Sequence, residues 1–174
     1  MRTLPIRTVL VSTAVACLVL LYLLWWTTYA GIHFDPRFTQ QPPGAAGRSG
    51  GVEIRLVSLT RTGVLSDQSY GGDPEVAAPG ATWVVAVMEA TQQPGAPEFY
   101  CPLELVDSDL RRWEPQGVPG RALPSCPREE LSTGRPTRFE TVFLIPERLA
   151  EGIAGVAVLD PTVADRTDVI TPPV

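Results

Sequence analysis

Side chains that could carry out catalysis are few in this sequence, and their spacing matches no common catalytic arrangement. The only histidine is His33, and the chain contains no lysine. Ser–His–Asp and Cys–His sites need a histidine inside a folded domain, and a Ser–Lys dyad needs a lysine. No Gly-rich phosphate-binding motif is present. We therefore predict a protein that is not an enzyme and that uses no cofactor.

The acidic residues provide one arrangement with the right chemistry for a cation. The run Asp107-Ser108-Asp109 could supply oxygen ligands to Ca²⁺. The further Asp or Asn, the Gly and the distal Glu of a calcium loop are missing, so a turn between two strands is the better interpretation. Glu98 with Glu104, or Glu129-Glu130, could act as a hydrolytic pair, but 19 acidic residues produce such pairs by chance. We predict no metal site.

Three neighbouring residues, Arg111, Arg112 and Trp113, could contact a partner. Arginine binds carboxylates and phosphates through a planar fork of donors, and an indole ring attracts cations. The cluster could therefore bind a lipid headgroup or an acidic protein. A solvated turn with one buried tryptophan is the simpler interpretation, and both remain open.

Two cysteines, Cys101 and Cys126, belong to the part of the chain that the N-terminal segment places outside the membrane, where disulfides persist. No Cys-x-x-Cys pair and no additional histidine accompanies them, which disfavours a redox pair or a zinc site. We predict a structural disulfide that closes the proline-rich segment 115–124 and contributes about 3–4 kcal/mol.

The N-terminal segment is long and apolar enough to cross a membrane. Residues 8–29 contain no charge, no glycine and no proline. A helix of that length would span about 33 Å, which is sufficient for the hydrocarbon core. We predict a single transmembrane helix without a polar face.

Flanking residues indicate the orientation of this helix. Arg2 and Arg7 precede it, and the positive-inside rule then keeps the N-terminus in the cytoplasm and the remaining chain outside. Trp25, Trp26 and Tyr29 lie where the helix would leave the membrane, as residues of an aromatic belt do. The predicted location is the cell membrane, with an extracytoplasmic C-terminal domain.

Two other interpretations of the N-terminus remain. Thr28 and Ala30 form a weak small-x-small signal-peptide cleavage site, but the apolar run is longer than a usual signal peptide. Cys17 could be the lipidated residue of a lipoprotein, but the apolar residues 18–21 follow it, where a polar tether would be expected. We favour an uncleaved anchor.

Composition divides the chain into four parts. Residues 40–51 are nearly all Gln, Pro, Gly, Ala and Ser and have no apolar period. We predict a cytoplasmic stub over 1–7, the membrane helix over 8–29, a tether over 30–51 and a folded domain over 52–174.

Short apolar stretches with alternating patterns recur through the folded domain and are separated by Gly and Pro. Such a pattern, without a long amphipathic helix, is typical of an all-β sandwich. The clearest predicted strands are Val52–Leu59, Trp83–Ala90, Phe99–Val106, Phe139–Ile145 and Ile153–Leu159, with a two-turn helix over Pro146–Gly152.

The strands Ala81–Val87 (ATWVVAV) and Phe139–Pro146 (FETVFLIP), with arginine used in place of lysine, support one resemblance. The domain resembles the immunoglobulin-like sandwich domains of envelope proteins in high-GC Gram-positive (actinobacterial) bacteria. Thr91-Gln92 departs from that pattern, because such domains often place Asn before this turn. The resemblance implies binding or scaffolding outside the membrane, with no shared catalytic residues.

The net charge of −5 excludes nucleic acid as a partner, because no broad positive field is available to bind phosphates. We expect an interaction module that docks or scaffolds an envelope membrane-protein complex. The alternatives are a binding module for a cell-wall or lipid ligand, or an accessory subunit of a lipid exporter, the last on architecture alone.

Overall fold

The computed structural model describes residues 6–33, 37–66, 73–96, 99–127, 131–160 and 166–173. The chain forms two compact units, one over Met1–Pro36 and the other over Arg37–Val174. The first unit is a helix and the second is a β-sandwich, so the predicted fold class is confirmed.

Helix α1 runs over Ile6–His33 and is longer at both ends than the predicted 8–29. Its segment Val11–Thr28 is apolar, with no part buried inside the protein. The hydroxyls of Thr27 and Thr28 donate to the carbonyl of Leu24, at 3.0 and 2.7 Å. These hydroxyls therefore need no water partner, which suits an apolar surrounding. The length and exposure fit a membrane anchor or a signal sequence.

Eleven strands follow in the described residues of the second unit. They are β1 Arg37–Gln40, β2 Gly47–Ser49, β3 Val52–Thr62, β4 Val64–Leu65, β5 Glu75–Val76, β6 Ala81–Gln92, β7 Leu103–Asp107, β8 Arg112–Trp113, β9 Pro136–Pro146, β10 Ile153–Leu159 and β11 Arg166–Ile170. A short 3₁₀ helix over Glu147–Gly152 connects β9 to β10, where two turns of helix were predicted.

The strands form two main sheets and a small ribbon. The first sheet has the order β1-β11-β10-β7-β8 and the second has the order β2-β3-β6-β9. Strands β4 and β5 pair with each other. The chain crosses between the main sheets from β1 to β2, from β6 to β7, from β8 to β9 and from β9 to β10. Repeated crossings of this kind are typical of Greek-key sandwiches.

Alternating patterns explain which side of each strand is buried. In β9, Phe139, Phe143 and Ile145 point into the main core between the sheets. Val142 belongs instead to a second apolar cluster on the outer face, together with Trp83 of β6. The ribbon residue Leu65 completes this outer cluster and is 1% exposed. The second sheet therefore buries apolar side chains on both faces.

The predicted tether over 30–51 is wrong for residues 37–51, because this segment contains β1 and β2 and belongs to the compact unit that forms the sandwich. Phe38 packs on an apolar cluster of β7, β10 and β11. Gly47 contacts the core, where an added Cβ would lie 3.1 Å from the side chains of Ile170 and Val158. Only residues 34–36 separate α1 from β1. The sandwich thus begins at Arg37, where the sequence predicted residue 52.

Candidate functional site

The predicted contact residues Arg111, Arg112 and Trp113 lie together at the β7–β8 hairpin, and each has a partner within the domain. Arg111 pairs with Asp107, with 2.6 Å between Nε and Oδ2. Arg112 pairs with Glu104 at 3.4 Å. The ring of Trp113 packs against the main core. The two arginine side chains are about half exposed, so the hairpin remains accessible to a partner.

Asp107 organises this hairpin. Its side chain is 1% exposed and accepts hydrogen bonds from the backbone N–H of Asp109 at 3.0 Å and of Arg111 at 2.8 Å. Burial alone would raise the pKa of Asp107, but the hydrogen bonds from Arg111 and Asp109 outweigh it and lower that pKa. The hydrogen bond to Asp107 is also the main reason that the pKa of Arg111 is raised. The run Asp107-Ser108-Asp109 is therefore the strand turn expected from the sequence.

The disulfide between Cys101 and Cys126 is present, with 5.9 Å between the Cα atoms. Cys101 has a φ of 51°, a left-handed conformation that non-glycine residues adopt at a cost. The proline-rich segment that ends at this bridge runs along the free edge of β9. Gln116 N–H donates to the Val142 carbonyl at 2.8 Å, and Glu140 N–H donates to the Pro124 carbonyl at 3.0 Å. This segment, residues 115–126, is called the edge loop below.

A buried ion pair fastens the edge loop to β9. Arg121 forms two hydrogen bonds to Glu140, one of them between Nη2 and Oε2 at 3.0 Å. The side chains are 11% and 9% exposed. Sequence reasoning missed this pair. The available signal was Glu140 itself, which shares a face of β9 with Val142 and Leu144. An acid on an otherwise apolar face indicates a covering segment with a basic residue.

Asp168 is a second buried acid that sequence reasoning missed. It accepts a hydrogen bond from Gln41 Nε2 at 2.9 Å and another from Arg48 N–H at 3.3 Å. The acceptor lies on β11 in the first sheet, and Arg48 lies on β2 in the second. Asp168 therefore links β11 of the first sheet to β2 of the second sheet and to Gln41, which directly follows β1.

The described residues include no group of three His, Cys, Asp or Glu side chains that could bind a metal ion. Glu98, Glu129 and Glu130 lie outside the described residues, as does the side chain of His33. Cys17 is free and exposed on α1.

Two of the three aromatic residues predicted to lie at the membrane interface, Trp25 and Trp26, have described side chains. Trp25 and Trp26 are 57% and 46% exposed, and the ring of Tyr22 lies 6.4 Å from that of Trp26. The side chain of Tyr29, the third predicted interface residue, lies outside the described part. Exposed indole rings at this position are suited to a membrane–water interface.

One pocket of about 260 Å³ is lined by residues from both sheets. Leu59 of β3, Val84 of β6 and Ile153 of β10 form much of its wall. A second, of about 250 Å³, lies against the edge loop and Glu140. Both volumes are below the roughly 300–1,000 Å³ of usual small-molecule sites.

Comparisons with known proteins give little beyond the fold. No protein-family pattern and no curated protein matches this chain. A conserved hypothetical protein from Bacillus anthracis has a similar structure, with a TM-score of 0.46 and 12% identity over 67% of this chain and 86% of the other. An uncharacterized beta-sandwich protein from Clostridium difficile 630 has a TM-score of 0.46 and 9% identity over 78% of this chain and 95% of the other.

Proposed function

We propose that this protein is a single-pass membrane protein whose extracytoplasmic β-sandwich binds another protein of the cell envelope without catalysis. The observation that carries the proposal is the joining of an exposed apolar helix to a disulfide-bonded sandwich. The helix supplies the anchor, and the disulfide suits an oxidising compartment. Arg2 and Arg7 favour a cytoplasmic N-terminus.

We favour a membrane protein as the partner, because an apolar anchor would hold the protein in the membrane where such partners lie.

The strand order supports the immunoglobulin-like part of the proposal. With β3, β6 and β9 taken as strands A, B and E, the facing order β11-β10-β7-β8 corresponds to G, F, C and C′. Such domains bind through strand edges, faces and loops rather than through a deep catalytic cleft. The assignment to envelope proteins of actinobacteria is part of the same proposal and is based on the sequence resemblance.

A ligand-binding function is less well supported. A lipid or a cell-wall fragment would need a cavity larger than the pockets of about 260 and 250 Å³ described above. An exporter subunit would be a special case of the protein-docking proposal, with the exporter as the membrane partner.

Orientation can be tested by proteolysis of spheroplasts that carry the full-length protein. We expect added protease to remove the sandwich in intact spheroplasts. Inside-out vesicles should protect it. Protection in spheroplasts would contradict the proposed orientation.

Partner binding can be tested by placing a photo-crosslinking amino acid at surface positions of the sandwich in native membranes. We expect adducts with one membrane protein from positions on one face. Positions on the opposite face are the matched controls. Similar yields of adducts with many different proteins from both faces would contradict a specific docking function.

A further inference from the structure

Strand β3 has an edge that its neighbour covers only in part. β6 pairs with β3 from Val52 to Thr62, whereas β2 pairs only with Val52–Ile54. Among the strands that the structure describes, none pairs with this edge beyond Ile54. An unpaired strand edge offers backbone donors and acceptors that can bind another strand. Residues 55–62 are called the β3 edge below.

The direction of the backbone groups identifies which residues offer them. Thr82 of β6 donates its hydroxyl to the Thr62 carbonyl at 3.2 Å, so the Thr62 backbone faces β6. Backbone groups point alternately to the two sides of a strand. The N–H and C=O groups of Leu59 and Arg61 therefore face the uncovered side.

The pocket of about 260 Å³ lies beside these same two residues. Leu59 and Arg61 line it, together with Val84, Ala150 and Ile153. Thr171 also lines the pocket. Its hydroxyl oxygen is buried and has no hydrogen-bond partner in the described part of the protein. A strand added to the β3 edge would thus have a mostly apolar recess next to it for one side chain.

Irregular pairing is found on both sides of this recess. The β3–β6 register shifts between Leu56 and Ser58, and the β10–β7 register shifts between Ile153 and Gly155. An added Cβ at Gly155 would lie 2.4 Å from the Ile170 carbonyl oxygen, so this position requires glycine. Such bulges redirect strands and are frequent beside binding sites.

The charges at the β3 edge select the kind of occupant. Arg55 and Arg61 lie near its two ends, but their side chains lie on opposite faces of the sheet. Arg55 pairs across the sheet with Glu89, whereas Arg61 pairs with the core residue Val84 and lines the pocket. Arg61 pairs with Glu151 at 2.5 Å, but the Glu151 side chain is 87% exposed and can be displaced. Antiparallel pairing of two copies about Thr60 would place Arg61 of each copy opposite Leu59 of the other, because the backbone groups of both residues face the uncovered side. Self-association would therefore offer Arg61 no carboxylate, whereas a segment of another protein can supply one.

We propose that the β3 edge binds an extended segment of a partner protein by strand addition, with an apolar side chain in the pocket and a carboxylate near Arg61. Main-chain hydrogen bonds would provide affinity, and the pocket and Arg61 would provide selectivity. The proposal rests on the proposed docking function and names the surface and the chemistry of the bound segment.

Residue-resolved amide hydrogen exchange on the full-length protein in mild detergent tests whether the edge is open. We expect the amides of Leu59 and Arg61 to exchange at least about tenfold faster than that of Thr60, which faces β6. Equal protection of all three amides would show that the edge is already covered and would overturn the proposal.

A synthetic peptide, Asp-Val-Thr-Leu-Thr-Val-Asp, tests strand addition directly by fluorescence anisotropy. The control peptide replaces both aspartates with arginine. We expect the acidic peptide to bind and to slow exchange at Leu59 and Arg61, and the basic peptide to bind at least about tenfold more weakly. Equal binding of both peptides, or no binding of the acidic one at millimolar concentration, would overturn the proposal.

Two variants separate the backbone contribution from the side chain. Arg61→Ala keeps the N–H on the uncovered side, and Arg61→Pro removes it. We expect Arg61→Pro to bind the acidic peptide at least about fivefold more weakly than Arg61→Ala, because the loss of one backbone hydrogen bond lowers affinity by about that factor. Equal affinities of the two folded variants would contradict strand addition.

Circular dichroism shows whether Arg61→Pro is folded.

Ala154→Phe serves as a second variant. The phenylalanine ring would fill the pocket from β10, and we expect the affinity for the acidic peptide to fall about tenfold. Unchanged affinity would exclude the pocket. Photo-crosslinks that map to another face would overturn the β3 edge alone, whereas a cytoplasmic sandwich would overturn the proposed function.

Discussion

Two arginine–carboxylate pairs hold two irregular segments of the sandwich, and they differ in how deeply the arginine is buried. At the β7–β8 hairpin, Arg111 is 48% exposed and Asp107 is 1% exposed. At the edge loop, Arg121 is 11% exposed and Glu140 is 9% exposed. If the hairpin pair is broken, water can solvate the arginine. If the edge-loop pair is broken, one charge remains buried without its main partner.

The difference implies that the edge loop is the more costly of the two regions to disrupt. Glu140→Ala removes the carboxylate from the buried Arg121. We expect the free energy of unfolding to fall by about 3–5 kcal/mol. Urea unfolding of the full-length protein in mild detergent measures it.

The matched control for this prediction is the double variant Arg121→Met with Glu140→Leu. It replaces both charges with apolar groups, and we expect its stability to be close to that of the wild type. A loss below about 1 kcal/mol in Glu140→Ala would mean that the pair is solvated, and the comparison would fail.

The disulfide contributes to the same region from its other end. Replacing Cys101 and Cys126 with serine removes the cross-link that restricts the unfolded chain, so the entropy of the unfolded state rises. We expect a loss of about 3–4 kcal/mol. Cys17→Ser is the matched control, since Cys17 is free, and should leave the unfolding midpoint unchanged. Alkylation of Cys101 and Cys126 without reduction would show that the bridge is absent.

Asp107→Asn tests the hairpin region. The variant loses the charge that accepts hydrogen bonds from Arg111 and from two backbone N–H groups. Hydrogen bonds to a charged group contribute about 1.5–3 kcal/mol, so the expected loss is smaller than that at Glu140. Urea unfolding at pH 7 measures it, and an equal or larger loss than that of Glu140→Ala would reverse the comparison.

The same variant has a defined pH signature. The pKa of Asp107 is lowered in the folded state, so its charge stabilises the protein above the unfolded-state pKa of about 4. This stabilisation is lost as the pH falls below about 4 and through the folded-state pKa. We expect the unfolding free energy of the wild type to decrease more steeply than that of Asp107→Asn in this acid range. Parallel curves would show that Asp107 does not contribute.

Arg112→Ala has the smallest expected effect. Arg112 is 45% exposed and lies 3.4 Å from Glu104, so the loss should not exceed about 1 kcal/mol and should decrease with added salt. Arg48→Ala removes another exposed pair and is the control. A loss above about 2 kcal/mol would indicate that Arg112 has a larger structural role.

The sequence predicted most of the strands because their patterns are local. In β9, Phe139 and Phe143 alternate with Glu140 and Val142, and the structure places the two sets on opposite faces. Alternation of this kind is set by the geometry of a single strand and can be identified without knowing its neighbours. The disulfide was also predictable, since only two cysteines follow the apolar N-terminal helix.

The N-terminal strands were not predictable for a physical reason. Residues 37–51 are rich in Gly, Pro and Gln and lack an apolar period of their own. They are ordered by contacts with distant parts of the chain, as in the bonds from Gln41 and Arg48 to Asp168. Gly47 is buried against Ile170 because it has no side chain, a role that composition suggests only as flexibility.

The sequence by itself determined the apolar N-terminal helix, the all-β class and the identity of the bridged cysteines, because each depends on residue type and short-range pattern. The tertiary structure alone decided that residues 37–51 belong to the sandwich, that Arg121 faces Glu140 and that no described strand pairs with the outer edge of β3 beyond Ile54. These features depend on strand order and register. Register brings residues far apart in the chain into contact, and no local pattern encodes it.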